Sequence, residues 1–304
     1  MRADRSKPAT LLIVDGRYYL FDCGTGTMQR MLQAGIDSQQ IQTIFLTHLH
    51  SDHDLGLVPV LANDYFLLNL KGATQTISIY GPPQTKELVD AAFRFITISV
   101  RPFAAENPDT YRTSNGHFVS PFQSHEFARG GLIFQDDKIR VVAAENSHYA
   151  LMTGQQRRTF QSYSYRVDTP HGTVVFTGDT GPSEAVERLA KDADVLVAEA
   201  DALNAATRDQ FVKGMSARSH WSPMRTQEFR AHFISEHLDT NEIGQLAAGA
   251  QVRSVILYHY GPDDPPPHAS YVEGVRKYFN GPVFAPDDLD LYCLSDHVVR
   301  ECKH

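Results

Sequence analysis

The chain is poor in the features that mark a small secreted scaffold. Its 304 residues include three cysteines, Cys23, Cys293 and Cys302, an odd number scattered without CxxC spacing, so neither a disulfide framework nor a thiolate metal site is expected. Long apolar runs are missing as well. The segment from Ala9 to Val14, broken by one Thr, falls far short of the roughly 18 apolar residues that a membrane span needs. The opening MRADRSKPAT carries charge but no apolar stretch of the kind a secretory signal has, which points to a cytoplasmic protein. A basic excess is also absent: 28 Lys and Arg stand against 36 Asp and Glu, a formal charge of −8. A surface built mainly to neutralise phosphate backbones is therefore disfavoured, and nucleic acid with it.

What remains is a 42% hydrophobic composition, enough for a sizeable core. Thr10 to Val14, Asp15-Gly16 and Arg17 to Phe21 read as a hairpin closed by a type I′ turn. Helical patterns follow at about 27–34, 56–70 and 85–95, with strands at 43–46 and 77–80. Residues 97–130 show no periodicity and read as an insertion or substrate-covering loop region. Strands resume at 139–143, 162–167 and 173–177, the last two joined by Pro170-His171-Gly172 and expected to pair antiparallel. The rest alternates: helix 183–192, strand 195–198, helices 223–235 and 240–250, strand 255–258, a rigid Pro-rich loop at 262–267 and a helix at 269–279. Asp239 and Glu242 have capping-box spacing. With no repeat and no linker, residues 1–304 are expected to form a single domain.

Histidine is the abundant exception. Of fourteen, three fall within Thr47-His48-Leu49-His50-Ser51-Asp52-His53, directly after an apolar strand. On a strand end, alternation turns His48 and His50 to one side, with Asp52 and His53 following as the chain bends into a helix. Imidazoles and a carboxylate crowded this way repel on protonation unless a cation holds them neutral, and their chemistry suits zinc or a similar divalent ion.

The HxHxDH window at a strand end resembles the signature of the metallo-β-lactamase superfamily. The chain continues in the order that family uses, with Asn146-Ser147-His148, Phe176-Thr177-Gly178-Asp179 and Leu257-Tyr258-His259, each after a β-type run. The resemblance implies an α+β, four-layer αββα sandwich of two mixed sheets flanked by helices. It implies two Zn2+ ions, with Mn2+ or Fe2+ as substitutes: His48, His50 and His148 on one, Asp52, His53 and His259 on the other, Asp179 bridging.

Within the superfamily the chain is similar to the ribonuclease Z and arylsulfatase-like branch, through Asp22-Cys23-Gly24-Thr25-Gly26-Thr27, Val195-Leu196-Val197-Ala198-Glu199-Ala200 and Glu236-His237-Leu238-Asp239-Thr240. That branch implies that Glu199 orients His237 and that His237 protonates the leaving group. Three departures stand out: Ala198 where ribonuclease Z often has His, no strand and Gly-rich loop ahead of Arg5, and no Gly- and Lys-rich arm that would grip tRNA.

Paired divalent ions make hydroxide available near neutral pH, and Asp52 is placed to orient it and take its proton. The expected activity is hydrolysis of ester-type bonds in a small or medium substrate, a phosphodiester, a sulfate ester or a relative of these, by a homodimer. tRNA 3′-end processing, β-lactam or lactone hydrolysis and an idle metal-binding scaffold are the alternatives. His50, where diiron relatives carry Glu, favours hydrolysis over redox work. His117, His125, His171, His220, His232, His268, His297 and His304 have no motif context and are expected on the surface or in ordinary hydrogen bonds. Tyr149 and the His220-Trp221 pair are expected in the core ahead of a pocket wall. Asp22 is expected to make a structural hydrogen bond, and Cys23 to be a small buried residue.

Overall fold

A computed structural model describes residues 5–261 and 267–302. Most of the Pro-rich loop expected at 262–267, and His304, lie outside the described residues. The chain divides into two compact units, Ala3–Ala128 and a second carried by Arg129–His304.

In the first unit, β1 (Thr10–Val14) and β2 (Arg17–Phe21) form the expected hairpin, closed by Asp15 and Gly16 at φ +47° and +79°, the two left-handed positions of a type I′ turn. Then come α1 (Thr27–Gln33), β3 (Ile41–Phe45), α2 (Ser51–Asp54), α3 (Leu57–Leu70), β4 (Ile77–Gly81) and α4 (Thr85–Glu106). A short pair, β5 (Thr113–Ser114) and β6 (His117–Phe118), precedes β7 (Phe122–Glu126). The sheet runs β1-β2-β3-β4-β7, parallel after the hairpin. Its apolar face packs Leu20, Ile44 and Leu46 against Val60, Leu61 and Tyr65 of α3 and Val89, Ala92 and Ile96 of α4, a stripe at helical spacing.

Residues 97–130 therefore differ from the irregular insertion expected. α4 continues to Glu106, and Phe122–Glu126 pairs with β4 as a sheet strand. Pro102 only removes one N–H bond from an exposed stretch of the helix, where water replaces it, so the helix does not stop near Phe95.

The second unit holds β8 (Gly131–Gln135), β9 (Arg140–Glu145), α5 (Gly154–Thr159), β10 (Tyr163–Thr169), β11 (Gly172–Phe176), α6 (Glu184–Ala190) and β12 (Val195–Ala200). α7 (Ala205–Ser219), α8 (Pro223–Glu236), α9 (Thr240–Gly249), β13 (Ser254–Tyr260), α10 (His268–Arg276) and β14 (Val283–Phe284) follow. Its seven-stranded mixed sheet runs β14-β13-β12-β11-β10-β9-β8, antiparallel from β8 to β11 and parallel from β11 to β14. β12 is buried at every residue, as a central parallel strand should be. The expected capping box is made: Asp239 accepts from the amides of Asn241 and Glu242, and Glu242 accepts from that of Asp239.

A last hairpin, β15 (Leu291–Ser295) and β16 (Val298–Cys302), corrects the cysteine reading. Cys293 and Cys302 are disulfide-bonded across it, with Cα atoms 5.9 Å apart. An odd count rules out a framework but not one local bridge between facing strands. Cys23 is buried, and burial pushes its thiol up to about 12, which keeps it unreactive. Among the described residues no helix is long and apolar enough to cross a membrane.

One buried carboxyl gives a stability test away from the histidines. Asp64 on α3 is 1% exposed and hydrogen-bonded to Ser38, and burial pushes it up to about 7. Between pH ~4 and ~7 the folded chain therefore retains a proton that the unfolded chain has released, so this group's contribution to stability falls as pH rises through that window. Asp64→Asn should gain on the wild type by about 1–3 kcal/mol between pH 5 and pH 8 in urea unfolding. Parallel curves for the two proteins would show that Asp64 is ionised in the native state.

Candidate metal centre

In the first unit the site begins where parallel strands end. β3 stops at Phe45, and Leu46 and Thr47 lead to His48; β2 stops at Phe21, and Asp22 follows at φ +58°. The two ends are tied by Asp22 N–H donating to the Phe45 carbonyl (2.8 Å) and Cys23 N–H to that of His53 (2.7 Å). A Cβ on Gly56 would lie 2.0 Å from the Gly24 carbonyl oxygen and one on Gly24 2.2 Å from that of Asp52, so only glycine lets these segments touch.

Asp22 makes the structural hydrogen bonds expected of it. Its carboxylate accepts from the Thr47 amide (2.8 Å) and hydroxyl (2.9 Å) and faces His53 Nδ1 at 2.9 Å. Having donated to Asp22, the Thr47 hydroxyl accepts from His48 Nδ1 at 3.0 Å. Both rings thus carry their proton on Nδ1, which leaves Nε2 of each as a lone-pair donor. The His48 ring centroid lies 4.7 Å from that of His50 and 4.1 Å from that of His53. Asp52 offers an oxygen within 4.8 Å of a His53 nitrogen and sits 3.7 Å from the Lys7 ammonium.

The second unit repeats the arrangement. His148 follows β9, Asp179 follows β11, Glu199 lies near the end of β12, His237 caps α8, and His259 sits on β13. The register slips between Glu199 and Ala200, which pair with Tyr258 and Tyr260, so His259 is the extra residue of a bulge, at φ +48°. A bulge re-aims a side chain in this way.

His148 donates from Nδ1 to the Glu236 carbonyl (2.9 Å), again leaving Nε2 as the donor to a metal. His148, Asp179 and His237 offer atoms within 4.8 Å of one another, and His259 Nε2 lies 3.3 Å from Asp179 Oδ2. His237 Nδ1 is 2.8 Å from Glu199 Oε2, the orienting contact expected from the sequence. Burial pushes His237 well below the usual imidazole range, against the opposing charge of Asp179. Burial, and then Asp179, push Glu199 well up.

Each unit therefore gathers its own share of the residues singled out: His48, His50, Asp52 and His53 in the first, and His148, Asp179, Glu199, His237 and His259 in the second. The donors are nitrogen and oxygen, with Nδ1 anchored on the far side of three rings, and this chemistry fits a divalent cation. Two residues escaped the sequence reading. His232, expected on the surface or in ordinary hydrogen bonds, lies 3.2 Å from His237 Nε2, and Glu236 binds it. The signal was there in the four-residue spacing of His232 and Glu236 on one helix face, immediately before His237. Tyr149 is buried beside His148, 4.9 Å between ring centroids. Trp221 packs on Phe229, but His220 is exposed, as a left-handed helix end, and not in the core.

Because Asp22 fixes two rings at once, Asp22→Ala should weaken metal binding about 10–100-fold. Competition with a chelating dye measures this. Unchanged affinity would mean that Asp22 serves only the fold.

The model of the beta-lactamase superfamily domain matches residues 17–260. A ribonuclease Z of Mycobacterium marinum is 26% identical over 259 residues, covering 85% of this chain and 81% of that protein. Among solved structures, the metallo-β-lactamase fold protein YhfI of Bacillus subtilis aligns at TM-score 0.63 with 16% identity, over 99% of this chain and 94% of its own. The short form of human tRNase Z aligns at 0.60 with 18% identity, over 96% and 94%. With the donor residues in the family's order and mixed sheets flanked by helices, the chain belongs to the beta-lactamase superfamily, has the metallo-β-lactamase fold and is a metal-dependent hydrolase.

Proposed function

We propose that this chain is a phosphodiesterase acting on esters with poor leaving groups, and that its two units, both spanned by the family match, work as one hydrolase domain. His48, His50 and His148 would hold one zinc ion and Asp52, His53 and His259 the second, with Asp179 shared, in the donor order of the family. When bound, such a pair supplies an ionised water at neutral pH and neutralises charge building on the phosphate. Asp52, partly exposed beside Lys7, orients the attacking water and accepts its proton on a carboxylate oxygen.

The observation that carries the reading is the Glu199–His237 pair. Glu199 is fully buried and held at Oε1 by the Thr180 amide (2.5 Å), so its Oε2 fixes the His237 ring through Nδ1 at 2.8 Å. Nε2 of His237, which meets His232 at 3.2 Å, is then the nitrogen left for the departing oxygen once His232 gives way. A carboxylate-oriented imidazole next to His148 and Asp179 suits protonation of an alkoxide, which nitrophenolate does not need.

A second reading, tRNA 3′-end processing, is favoured by the ribonuclease Z relative. Against it stand the net charge of −8 and the short stretch from His148 to Asp179, where α5 and the β10–β11 hairpin are the only elements. A panel of phosphodiesters, sulfate esters, lactones, β-lactams and precursor tRNA tests both. Turnover of alkyl and nitrophenyl phosphodiesters without tRNA cleavage is expected; precise tRNA cleavage with no small-ester turnover would overturn the proposal. His237→Ala should slow alkyl phosphodiesters by about 10²–10⁴-fold and nitrophenyl esters far less. Equal losses on the two would remove the acid role.

A further inference from the structure

Four side chains of the second unit stand in a row. Glu199 Oε2 meets His237 Nδ1 at 2.8 Å, His237 Nε2 meets His232 Nε2 at 3.2 Å, and His232 Nδ1 meets Glu236 Oε2 at 2.5 Å. Both ends are tied down: Glu199 Oε1 accepts from the Thr180 amide, and Glu236 Oε1 accepts from the Leu151 amide at 2.9 Å. The row contains three contacts, and each needs one hydrogen between its heavy atoms. The middle contact is a hydrogen bond when one of the two rings carries its hydrogen on Nε2, and at 3.2 Å it sets the rings end to end.

We infer that His232 is a positioning residue for the leaving-group step, its Nε2 meeting His237 Nε2 so that the His237 ring is held in place. This rests on the hydrolase reading above. Glu236 aims His232 from behind, and Phe233, one residue on, stacks on the His237 ring with centroids 5.3 Å apart, so the last turn of α8 holds that ring on two sides. When an ester is cleaved, the leaving oxygen takes the place of His232. As the attacking water's oxygen bonds to phosphorus, the bond from phosphorus to the leaving oxygen breaks, its electron pair goes to that oxygen, and a hydrogen on His237 Nε2 moves to it. His232, whose side chain is 30% exposed, lies beside that nitrogen and can pass it a replacement proton from water.

Two measurements on the metal-loaded enzyme decide this. With alkyl phosphodiesters, His232→Ala should lower kcat by about 10- to 100-fold, a part of the general-acid effect, with KM little changed and nitrophenyl esters nearly unaffected. His232→Gln, whose amide oxygen reaches the same place as an acceptor, should restore most of the loss. Equal losses in the two variants, or equal losses on both ester types, would overturn the inference. In 15N-histidine-labelled protein a scalar coupling between the two Nε2 atoms should be present and should vanish in His232→Ala; its absence in the wild type would also overturn it. If the wild type hydrolyses no ester in the panel, the phosphodiesterase reading fails, while the nitrogen coupling still decides whether His232 holds His237.

Discussion

A neutral imidazole has one lone pair, and the partner of its other nitrogen decides where that pair points. The whole site depends on this. His53 is held from behind by Asp22, His48 by the Thr47 hydroxyl, His148 by the Glu236 carbonyl and His237 by Glu199, in each case through Nδ1. Four rings on different elements are therefore restricted to presenting Nε2. In the first unit, rings crowded to centroid distances of 4.1 and 4.7 Å would repel if protonated together, and a cation held by their lone pairs removes that cost.

The fold serves this requirement through its strand ends. In both sheets the functional residues sit at or just beyond the carboxyl ends of strands: Asp22 and His48 after β2 and β3, and Asp179, Glu199 and His259 along the parallel trio β11, β12 and β13. Parallel strands end together, so residues distant in sequence emerge side by side, the general reason such sheets carry sites at that edge. The apolar runs beneath are what make it rigid. β12 is buried along its length, and the Gly24–Gly56 contact leaves no room for a side chain.

How much of this the sequence disclosed follows from how local each signal is. The HxHxDH window, the I′ turn at Asp15-Gly16 and the Asp239–Glu242 capping box depend on residues a few positions apart, and all three were legible. His148, Asp179 and His259 were singled out because their order resembles that of a known family. Features set by tertiary contact were not legible. The sheet strand at Phe122–Glu126 has no alternating pattern because it sits at an edge and is only partly buried. The Cys293–Cys302 bridge depends on a hairpin register, and the bulge at His259 on how β13 pairs with β12. His232 gains meaning only when the end of α8 brings it onto His237.

The most direct test is the metal content and ligand set of purified, active protein, determined by elemental analysis together with anomalous diffraction at the metal edge. Two ions per chain are expected, ligated by nitrogen and oxygen from the histidines and aspartates named, with activity falling as they are removed. Full activity in metal-free protein, or anomalous peaks away from these side chains, would contradict it.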